Sequence, residues 1–517
     1  MLIDGNSQNY EISVSADILI IGAGTVGLFL ADYLHSLNGK QRIVLVESGD
    51  KIPSSNFHRW TTSTGKPHHG CIFGRASGIG GTSNLWGGQL AEFESCDLKK
   101  IWGPWPIPFE ELVRFYKKVY QRLNCDDEID DYSCRIKFGN ERSNNADVER
   151  FFTRWLPKPK FAQNYKKLLE SAFVDIYYNT TVHDIEFSSS TATHAISVTE
   201  KGKSITFTFQ QVIFASGTIA TSQFFLNTQL KGDKPWTNNN NIGKYFQDHL
   251  GGKIADVIIS NPSKFREYFE NGILGKIKRQ PKLRFKSDLT NTSTIGVSGF
   301  FSFDSSISQN LQNIKLVIAN YKSGLTYSSG LALVKNIFKL SKLMLPIIIR
   351  YVRDKRIFAI LSSNVSFHVH AEQIANKLST LTLNQSQLDN HGMYPINVHW
   401  HCDGKELEVI RKFALESDLY LQNEGIGKLN IRPDLLDLNP IFLHYLEDTS
   451  HQSGGMVMSD NHLTGVVNQE CKVWGTENVW VAGSSVFPSS SYANITLTAL
   501  ALSARIAENI MSKHDNY

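Results

Sequence analysis

A glycine-rich turn near the N-terminus constrains the fold of this 517-residue chain more than any other feature. Residues 16–21 read ADILII, a short apolar run that is typical of a strand buried on both faces. GAGTVG follows at 22–27, and an apolar-periodic helix is predicted over 28–37. A second buried strand, IVLV at 43–46, ends in Glu47. The pattern predicts a βαβ unit of the kind that binds dinucleotides.

Each glycine of this turn has a physical task. Gly22 makes the tight turn, Gly24 lets the backbone approach a diphosphate, and Gly27 lets helix and strand pack closely. The diphosphate then rests on the N-terminus of the helix. Glu47, 20 residues after Gly27, can accept hydrogen bonds from two ribose hydroxyls, and its charge would repel a 2′-phosphate. The motif by itself fits NAD and FAD equally.

Composition narrows the class of protein. Hydrophobic residues make up 41% of the chain and charged residues 20%, which are ordinary values for globular proteins. The net charge of +4 is too small to favour nucleic acid as a partner. Six cysteines without a CxxC pair, no secretory signal and no apolar run of membrane-spanning length predict a cytoplasmic protein.

Further dinucleotide-type elements follow far along the chain. Buried strands are predicted at 211–215 and 479–482, and a C-terminal helix at 496–510. Between them, 300–323 and 363–400 are rich in β-type runs, some with the alternation of half-buried antiparallel strands. The predicted fold class is therefore α/β plus α+β: a Rossmann-like cofactor domain combined with an antiparallel-sheet domain inserted into it.

A second glycine-rich run, at 74–88, reads GRASGIGGTSNLWGG. Its glycine pairs and small hydroxyl residues allow backbone to lie against a flat ring system or a phosphate. Leu85 and Trp86 within it argue against a freely solvated loop, because such loops seldom carry large apolar side chains.

Several motifs in order make the chain similar to a known family. The 74–88 run, WGPWPIPFEEL at 102–112, FASGTIATSQFFL at 214–226, IGKYFQDH at 242–249 and the block from 451 to 510 together resemble the glucose-methanol-choline (GMC) oxidoreductases. This family of FAD-dependent alcohol oxidases and dehydrogenases includes cholesterol oxidase and pyranose oxidase. The resemblance implies a discontinuous FAD-binding domain over 1–100, 165–250 and 445–517, and a substrate-binding domain over 101–164 and 251–444.

The resemblance also implies the catalytic pair. His451, in SHQSG, matches the family's histidine at the flavin edge, and Asn494, in ANIT, matches its His/Asn partner. A neutral imidazole can take the hydroxyl proton of an alcohol while a hydride leaves for flavin N5. Asn494 can donate a hydrogen bond to the developing alkoxide.

The cofactor contacts follow in the same way. Besides Gly22, Gly24, Gly27 and Glu47, the residues expected to contact FAD are Arg75, Gly81, Thr82, Asn84, Trp86, Val182, Ser216, Gly483, Ser484 and Thr496. Pyranose-type members carry a flavin-linking histidine where this chain has Leu85, so FAD is predicted to be non-covalent. The family's usual aspartate is Gly483 here, and Ser484 is its expected partial substitute.

The remaining histidines receive structural interpretations. His249 is predicted to be structural, near the rim of the flavin domain. His368, His370, His399 and His401 lie in β-type runs and are predicted to be core or pocket-wall residues, with one of them open to a substrate contact. No cysteine or acid at ligand spacing accompanies them, so no metal site is predicted.

A basic amphipathic stretch occupies 331–356. From 335 to 356 it holds seven basic residues and one acid, a charge of +6 in a chain whose total is +4. It fits a helix on an anionic membrane surface, which would make the protein peripheral on the inner face of the membrane. It fits equally well a lid or an oligomer contact with solvated lysines.

The predicted function is FAD-dependent oxidation of an alcohol to a carbonyl. The predicted substrate is a sugar, cyclitol or similar polyol, either free or lipid-linked in a membrane, with O₂ or another carrier as electron acceptor. Alternatives are a sterol or lipid alcohol as substrate, a flavin monooxygenase or NAD-dependent reductase, and a non-catalytic flavin scaffold. The sequence leaves the regiochemistry, the acceptor and the oligomeric state open.

Overall fold

A parallel sheet organises the part of the structure that carries the N-terminal glycine turn. The computed structural model describes residues 1–7, 12–55, 61–126, 129–139, 145–303, 349–357, 361 and 365–514. With strands numbered in chain order, the order in this sheet is β1 (Leu2–Asp4), β8 (Val174–Tyr178), β4 (Ile43–Val46), β3 (Ile18–Ile21), β12 (Gln211–Phe214) and β22 (Val479–Val481). All neighbouring strands pair in parallel. Strands β3 and β4 are buried along their whole length, as continuous apolar runs predict.

A larger antiparallel sheet forms a second layer. Its order is β20 (Gly427–Ile431), β13 (Leu250–Ile259), β17 (Ser366–Ala371), β16 (Val297–Ser302), β15 (Ile277–Phe285), β7 (Val148–Trp155) and β6 (Gln89–Leu90), with β14 (Gly272–Leu274) beside β15 and β21 (Glu447–Asp448) beside β13. One face buries Phe301, Phe367 and Phe413 in an apolar core. The other face carries polar side chains such as His368 and His370, because strand side chains alternate between faces.

Two small sheets flank these layers. The first has the order β2 (Ile12–Ser15), β11 (Ser204–Thr208), β10 (Thr191–Thr199) and β9 (Thr180–Ser188). The second has the order β18 (Thr380–Leu383), β19 (Ile396–Trp400) and β5 (Thr62–Gly65).

Helices cover the parallel sheet and support the antiparallel one. In chain order they are α1 (Thr25–Leu37), α2 (Phe109–Arg122), α3 (Asp131–Lys137), α4 (Phe161–Asn164), α5 (Lys166–Leu169), α6 (Thr218–Gln229), α7 (Pro262–Phe269), α8 (Glu406–Asn423), α9 (Pro433–Leu436), α10 (Phe442–Tyr445) and α11 (Thr496–His514). Among the described residues, none of these helices combines the length and the apolar character needed to cross a bilayer.

The secondary structure agrees with the sequence in outline. The predicted strands at 16–21, 43–46, 211–215 and 479–482 are neighbours in the parallel sheet, although they come from opposite ends of the chain. The predicted β-rich run at 300–323 falls mostly outside the described residues.

The predicted domain division places α2 in the substrate-binding part. In the structure α2 packs on α11, and Glu111 Oε1 accepts a hydrogen bond from Arg505 Nε at 2.7 Å. Its buried residues share the apolar core of the parallel sheet. The domain boundaries themselves stay a prediction.

Candidate active site

The carboxyl ends of the parallel strands open into a cavity of about 610 Å³, which we call the dinucleotide cavity. Gly22 follows β3, Glu47 follows β4, Ser216 comes after β12 and Gly483 after β22, and all four line it. Open α/β sheets bind their ligands at this edge, because loops from several strands converge there.

The glycine turn shapes one wall of this cavity. Gly22 has φ +108°, a conformation that favours glycine, and a Cβ on Gly27 would lie 1.9 Å from the carbonyl oxygen of Gly22. Gly24 differs, because a Cβ there would meet only the Cα of Gly81, at 3.8 Å. The N-terminus of α1 has no side-chain cap, so its first amides are available to an anion. These residues fit a diphosphate.

Glu47 has a role that the sequence interpretation missed. Its Oε2 accepts the N–H of Ala23 at 2.9 Å, and its Oε1 accepts the N–H groups of Gly49 at 2.9 Å and Gly78 at 2.8 Å. The side chain is buried, and burial raises the pKa of Glu47 while these hydrogen bonds oppose the rise. Glu47 therefore joins three backbone segments, and a ribose would share an already occupied carboxylate. The ribose contact stays a prediction.

Most other predicted cofactor residues meet at the same cavity. Those that line it are Arg75, Gly81, Thr82, Trp86, Val182, Ser216, Gly483, Ser484 and Thr496. Asn84 does not line it. Its Nδ2 donates to the carbonyl oxygens of Ile79 at 3.4 Å and Gly81 at 2.8 Å. Asn84 therefore stabilises the backbone of the glycine-rich turn.

Two buried polar atoms support a polar ligand in this cavity. Within the described part of the chain, Thr181 Oγ1 and Gln452 Nε2 are buried without a hydrogen-bond partner, and both residues line the cavity. Buried polar groups are rarely left unpaired in folded proteins. Together with the glycine wall, they fit FAD, which has ribityl hydroxyls and a polar ring edge.

His451 and Asn494 lie side by side although they are 43 residues apart. Asn494 Nδ2 donates to His451 Nε2 at 3.1 Å. A second cavity of about 600 Å³, the substrate chamber, is lined by both residues and by Gln89, Trp155, Phe300, His368 and His370, among others. Trp86, Thr449 and His451 line both cavities, so His451 stands where the two cavities meet, with Asn494 beside it in the substrate chamber.

Two groups face the other ring nitrogen of His451, and a third holds its backbone. Thr449 Oγ1 lies 2.9 Å and His249 Nδ1 lies 3.0 Å from His451 Nδ1. The backbone N–H of His451 donates to Asp248 Oδ1 at 3.0 Å. The prediction that His249 stands at the rim of the flavin domain is wrong, because this ring is buried and contacts His451 directly. The neighbouring sequence gave no signal for that contact.

Burial controls the charge of this histidine. It lowers the pKa of His451 to about 3, with the ammonium group of Lys282 and the charge that His249 would carry when protonated adding to the effect, and Asp248 opposing it. Burial also lowers the pKa of His249 and of His370. Lys282 is itself buried, which lowers its pKa to about 8. The histidine that faces both cavities is therefore neutral and able to accept a proton.

The structure separates the other histidines into two groups. His368 and His370 line the substrate chamber, as the pocket-wall interpretation expects. His399 lies in β19 and His401 follows this strand, and neither residue lines one of the two cavities. His399 Nδ1 lies 3.1 Å from Thr64 Oγ1, and His401 Nε2 lies 2.8 Å from Asp403 Oδ1.

Only part of the basic stretch can be compared with the structure, because 304–348 lies outside the described residues. Arg350 Nε donates to Glu270 Oε2 at 3.1 Å. Arg356 is buried, and its Nη2 donates to the carbonyl oxygen of Arg266 at 2.9 Å. At least these two cations bind the protein itself, which leaves less charge for a membrane than the sequence pattern implies.

Comparison with known proteins identifies the family of the C-terminal part. Residues 376–503, which include His451 and Asn494, match the family model described as GMC oxidoreductase. A curated relative, C-glycoside 3-oxidase from Microbacterium trichothecenolyticum, is 27% identical over 131 residues, or 25% of this chain and 24% of the relative. The alignment thus spans about a quarter of that protein's length.

Solved structures match over the whole chain. A formate oxidase superposes with a TM-score of 0.60 at 16% identity, covering 98% of this chain and 99% of that chain. A variant of Aspergillus oryzae RIB40 formate oxidase, studied for FAD modification, has a TM-score of 0.59 at 14% identity over 97% and 99% of the two chains. Pyridoxine 4-oxidase from Mesorbium loti gives 0.58 at 13% over 96% and 99%. At these identities the likeness concerns the fold.

Together these matches confirm the resemblance to the GMC oxidoreductases and the mixed α/β fold class. The oxidoreductase class and FAD as cofactor agree with the description of the matched family model.

Proposed function

We propose that this chain, a GMC oxidoreductase, oxidises a secondary alcohol of a sugar, cyclitol or similar polyol to a carbonyl. The observation that carries the proposal is the position of His451: a neutral imidazole, next to the Asn494 amide, at the junction of the dinucleotide cavity and the substrate chamber. A base, a hydrogen-bond donor and a redox cofactor are what removal of a hydride and a proton from an alcohol requires.

Several residues of the chain contribute to the oxidation of the alcohol in different ways. When bound, FAD supplies the acceptor for the hydride. His451 Nε2 accepts the hydroxyl proton of the substrate, so that the carbinol loses a proton and a hydride, two electrons in all. Asn494 Nδ2, now 3.1 Å from this nitrogen, can donate to the same oxygen as its negative charge develops. Glu47 and the glycine turn would hold the adenosine and diphosphate end of FAD.

The lining of the substrate chamber favours a polyol. Gln89, His368, His370 and Glu447 present donors and acceptors, and Trp155 presents an aromatic face. The hydrocarbon of a sterol would cut such polar groups off from water, at a cost of about 1–3 kcal/mol for each one left buried without a partner. The matched relative is named C-glycoside 3-oxidase, which agrees with a carbohydrate. We propose O₂ or another small carrier as the electron acceptor.

An anaerobic absorbance screen tests the function. The purified protein is mixed with a panel of sugars, glycosides, cyclitols, aliphatic alcohols and sterols, without NADPH. We expect bleaching of the flavin band by one or more polyols. Bleaching only by NADPH would favour the monooxygenase or reductase alternative, and a flavin that no alcohol reduces would favour the scaffold.

We predict a reductive half-reaction that tolerates acid. Because the base works only when neutral, its pKa sets the acid limit of flavin reduction, and burial places that pKa at about 3 rather than near 6.5. The rate of flavin reduction by alcohol should therefore show no loss assigned to His451 between about pH 7 and about pH 5. Stopped-flow absorbance after a pH jump measures it. A tenfold fall per pH unit below about 6.5 would contradict the neutral, buried base.

A pH jump is used because the folded state itself loses stability in acid. Since the folded pKa of His451 lies below the unfolded value, the folded state loses stability as pH falls below about 6.5, by up to about 1.4 kcal/mol per unit. Short exposure to acid separates this loss from the chemistry.

We also predict that FAD is released intact when the protein is denatured. The hydrocarbon side chain of Leu85, which lines the dinucleotide cavity, offers no nitrogen for a covalent link at that position. Acid precipitation followed by chromatography of the supernatant should recover the flavin as free FAD. Yellow colour that stays with the precipitated chain would contradict the prediction.

A further inference from the structure

The residues behind His451 determine which of its two nitrogens carries the proton. A neutral histidine holds one proton, and only the nitrogen without it can act as a base. Asn494 and the substrate chamber face Nε2, so catalysis requires the proton on Nδ1. The groups facing Nδ1 belong to Thr449 and His249.

His249 presents an acceptor to that nitrogen. Its ring is fully buried, and its Nε2 lies 3.4 Å from the carbonyl oxygen of Ser490. A carbonyl oxygen can only accept, so Nε2 of His249 carries the proton. The ring is neutral because burial lowers its pKa, which leaves a lone pair on Nδ1. His249 Nδ1 lies 3.0 Å from His451 Nδ1. Because two facing lone pairs would repel each other, His451 Nδ1 carries a proton.

Thr449 presents a second acceptor. Its hydroxyl oxygen lies 2.9 Å from His451 Nδ1 and 3.2 Å from Asp248 Oδ1. The carboxylate can only accept, so the hydroxyl donates to Asp248 and uses its lone pair for His451 Nδ1–H.

Asp248 is fixed in position by the hydrogen bonds that its carboxylate accepts. Its oxygens accept the backbone N–H groups of His249 at 2.7 Å, Thr449 at 3.1 Å and His451 at 3.0 Å, and Nε2–H of His68 at 3.0 Å. Burial raises the pKa of Asp248, but His68 and these hydrogen bonds outweigh it and hold the pKa below its ordinary value. The carboxylate is thus charged and fixed.

His68 supplies its proton to Asp248 in either charge state. Asp248 and Asp448 outweigh burial and raise the pKa of His68 to about 10, which favours a charged ring. The N–H of Cys71 donates to His68 Nδ1 at 2.9 Å, which only a neutral ring allows. Nε2 is protonated in both cases, so the hydrogen bond to Asp248 does not depend on which influence dominates.

We propose that Asp248 and His249 are positioning residues that set the tautomer of His451, Asp248 through the hydroxyl of Thr449 and His249 directly. They are consecutive in the chain and lie immediately before β13. Both direct a proton to Nδ1, which leaves Nε2 free for the substrate hydroxyl. The assignment of the tautomer rests on the hydrogen bonds around two buried, neutral rings, whereas its catalytic value rests on the proposed function.

Two matched pairs of variants test this network in the FAD-loaded protein. Thr449→Val removes the hydroxyl at constant shape, and Thr449→Ser retains it. His249→Leu removes the acceptor, and His249→Asn places an amide oxygen near the position of Nδ1. ¹⁵N chemical shifts of histidine-labelled protein distinguish protonated from unprotonated ring nitrogens, and loss of a signal in His451→Gln identifies this residue.

We expect Nδ1–H and a free Nε2 for His451 in the wild type and in the Ser and Asn variants. In Thr449→Val combined with His249→Leu, no acceptor is left at Nδ1, and Asn494 can turn its amide to accept Nε2–H. The proton should then move to Nε2. A wild-type ring with Nε2–H, or an unchanged ring in the double variant, would overturn the proposal. The wild-type spectrum decides even if a variant fails to fold.

The kinetic effect should follow the tautomer. Each removed hydrogen bond should slow flavin reduction by about 5-fold, and both together by about 30-fold, while Thr449→Ser and His249→Asn recover most of the rate. In a His451→Ala background neither change should have any further effect, because no tautomer remains to set. Equal losses with and without His451 would mean a merely structural role. If no alcohol reduces the flavin, the proposed function fails, yet the ¹⁵N spectrum still decides the tautomer.

Discussion

In His451→Ala, reduction of the bound flavin by an alcohol substrate should slow by roughly 10²- to 10⁴-fold. The variant must transfer the hydroxyl proton to water, because His451 Nε2 is the ring nitrogen that lies against Asn494 in the substrate chamber. FAD content should stay near that of the wild type, since most contacts of the dinucleotide cavity come from other residues. Stopped-flow absorbance under anaerobic conditions measures the rate.

Asn494→Ala provides the matched comparison. It removes a donor to the developing alkoxide, for which a loss of roughly 10²- to 10³-fold is expected. Because both residues act on the same oxygen, the double variant should lose less than the product of the single losses. If His451→Ala reduces its flavin at the wild-type rate, the base has been assigned wrongly, and His370 in the same chamber becomes the next candidate.

Gly24→Val should abolish FAD binding while the fold survives. At φ −76° the backbone of Gly24 suits other residues, and a Cβ there would meet only the Cα of Gly81, at 3.8 Å. The added methyl groups fill the space where the backbone approaches a diphosphate. Loss of about two charge-assisted hydrogen bonds corresponds to roughly 10²- to 10⁴-fold weaker binding. The flavin-to-protein absorbance ratio and a titration with FAD measure it.

A second glycine serves as the control for this experiment. Gly39→Val lies in the loop after α1, where a Cβ would make only ordinary contacts of 3.6 Å or more. This variant should keep its FAD and its thermal unfolding temperature. A Gly24→Val protein that retains FAD with wild-type affinity would show that the diphosphate lies elsewhere, even though the fold is intact.

The glycine turn of the dinucleotide cavity could be predicted from the sequence because it depends on neighbouring residues. The order of strand, glycine turn and helix within 16–37 fixes backbone geometry through neighbouring residues alone. Of the predicted contact residues, Asn84 faces away from the cavity because its amide closes its own turn. Glu47 is used by backbone N–H groups of three segments, which no spacing rule describes.

The surroundings of the predicted catalytic pair, unlike the glycine turn, depend on residues that are far apart in the sequence. The resemblance to a family supplied His451 and Asn494, but their environment depends on contacts that span 43 and 202 positions. His249 was assigned to the rim because a lone histidine in a polar run gives no sign of its partner. Likewise, Gln89, Trp155 and Lys282 carry no motif, and only strand pairing brings them to the polar face of one sheet.

The sequence by itself therefore determined the glycine turn and the buried strands of the parallel sheet, and the family resemblance predicted the reacting side chains. These depend on interactions between residues close in sequence or on residue type. The tertiary structure alone supplied the contacts from which the proton position on His451 is proposed, the burial that lowers its pKa and the shape of the substrate chamber. Those depend on burial and on distances between segments that meet only when the two sheets pack together, and no local pattern encodes such distances.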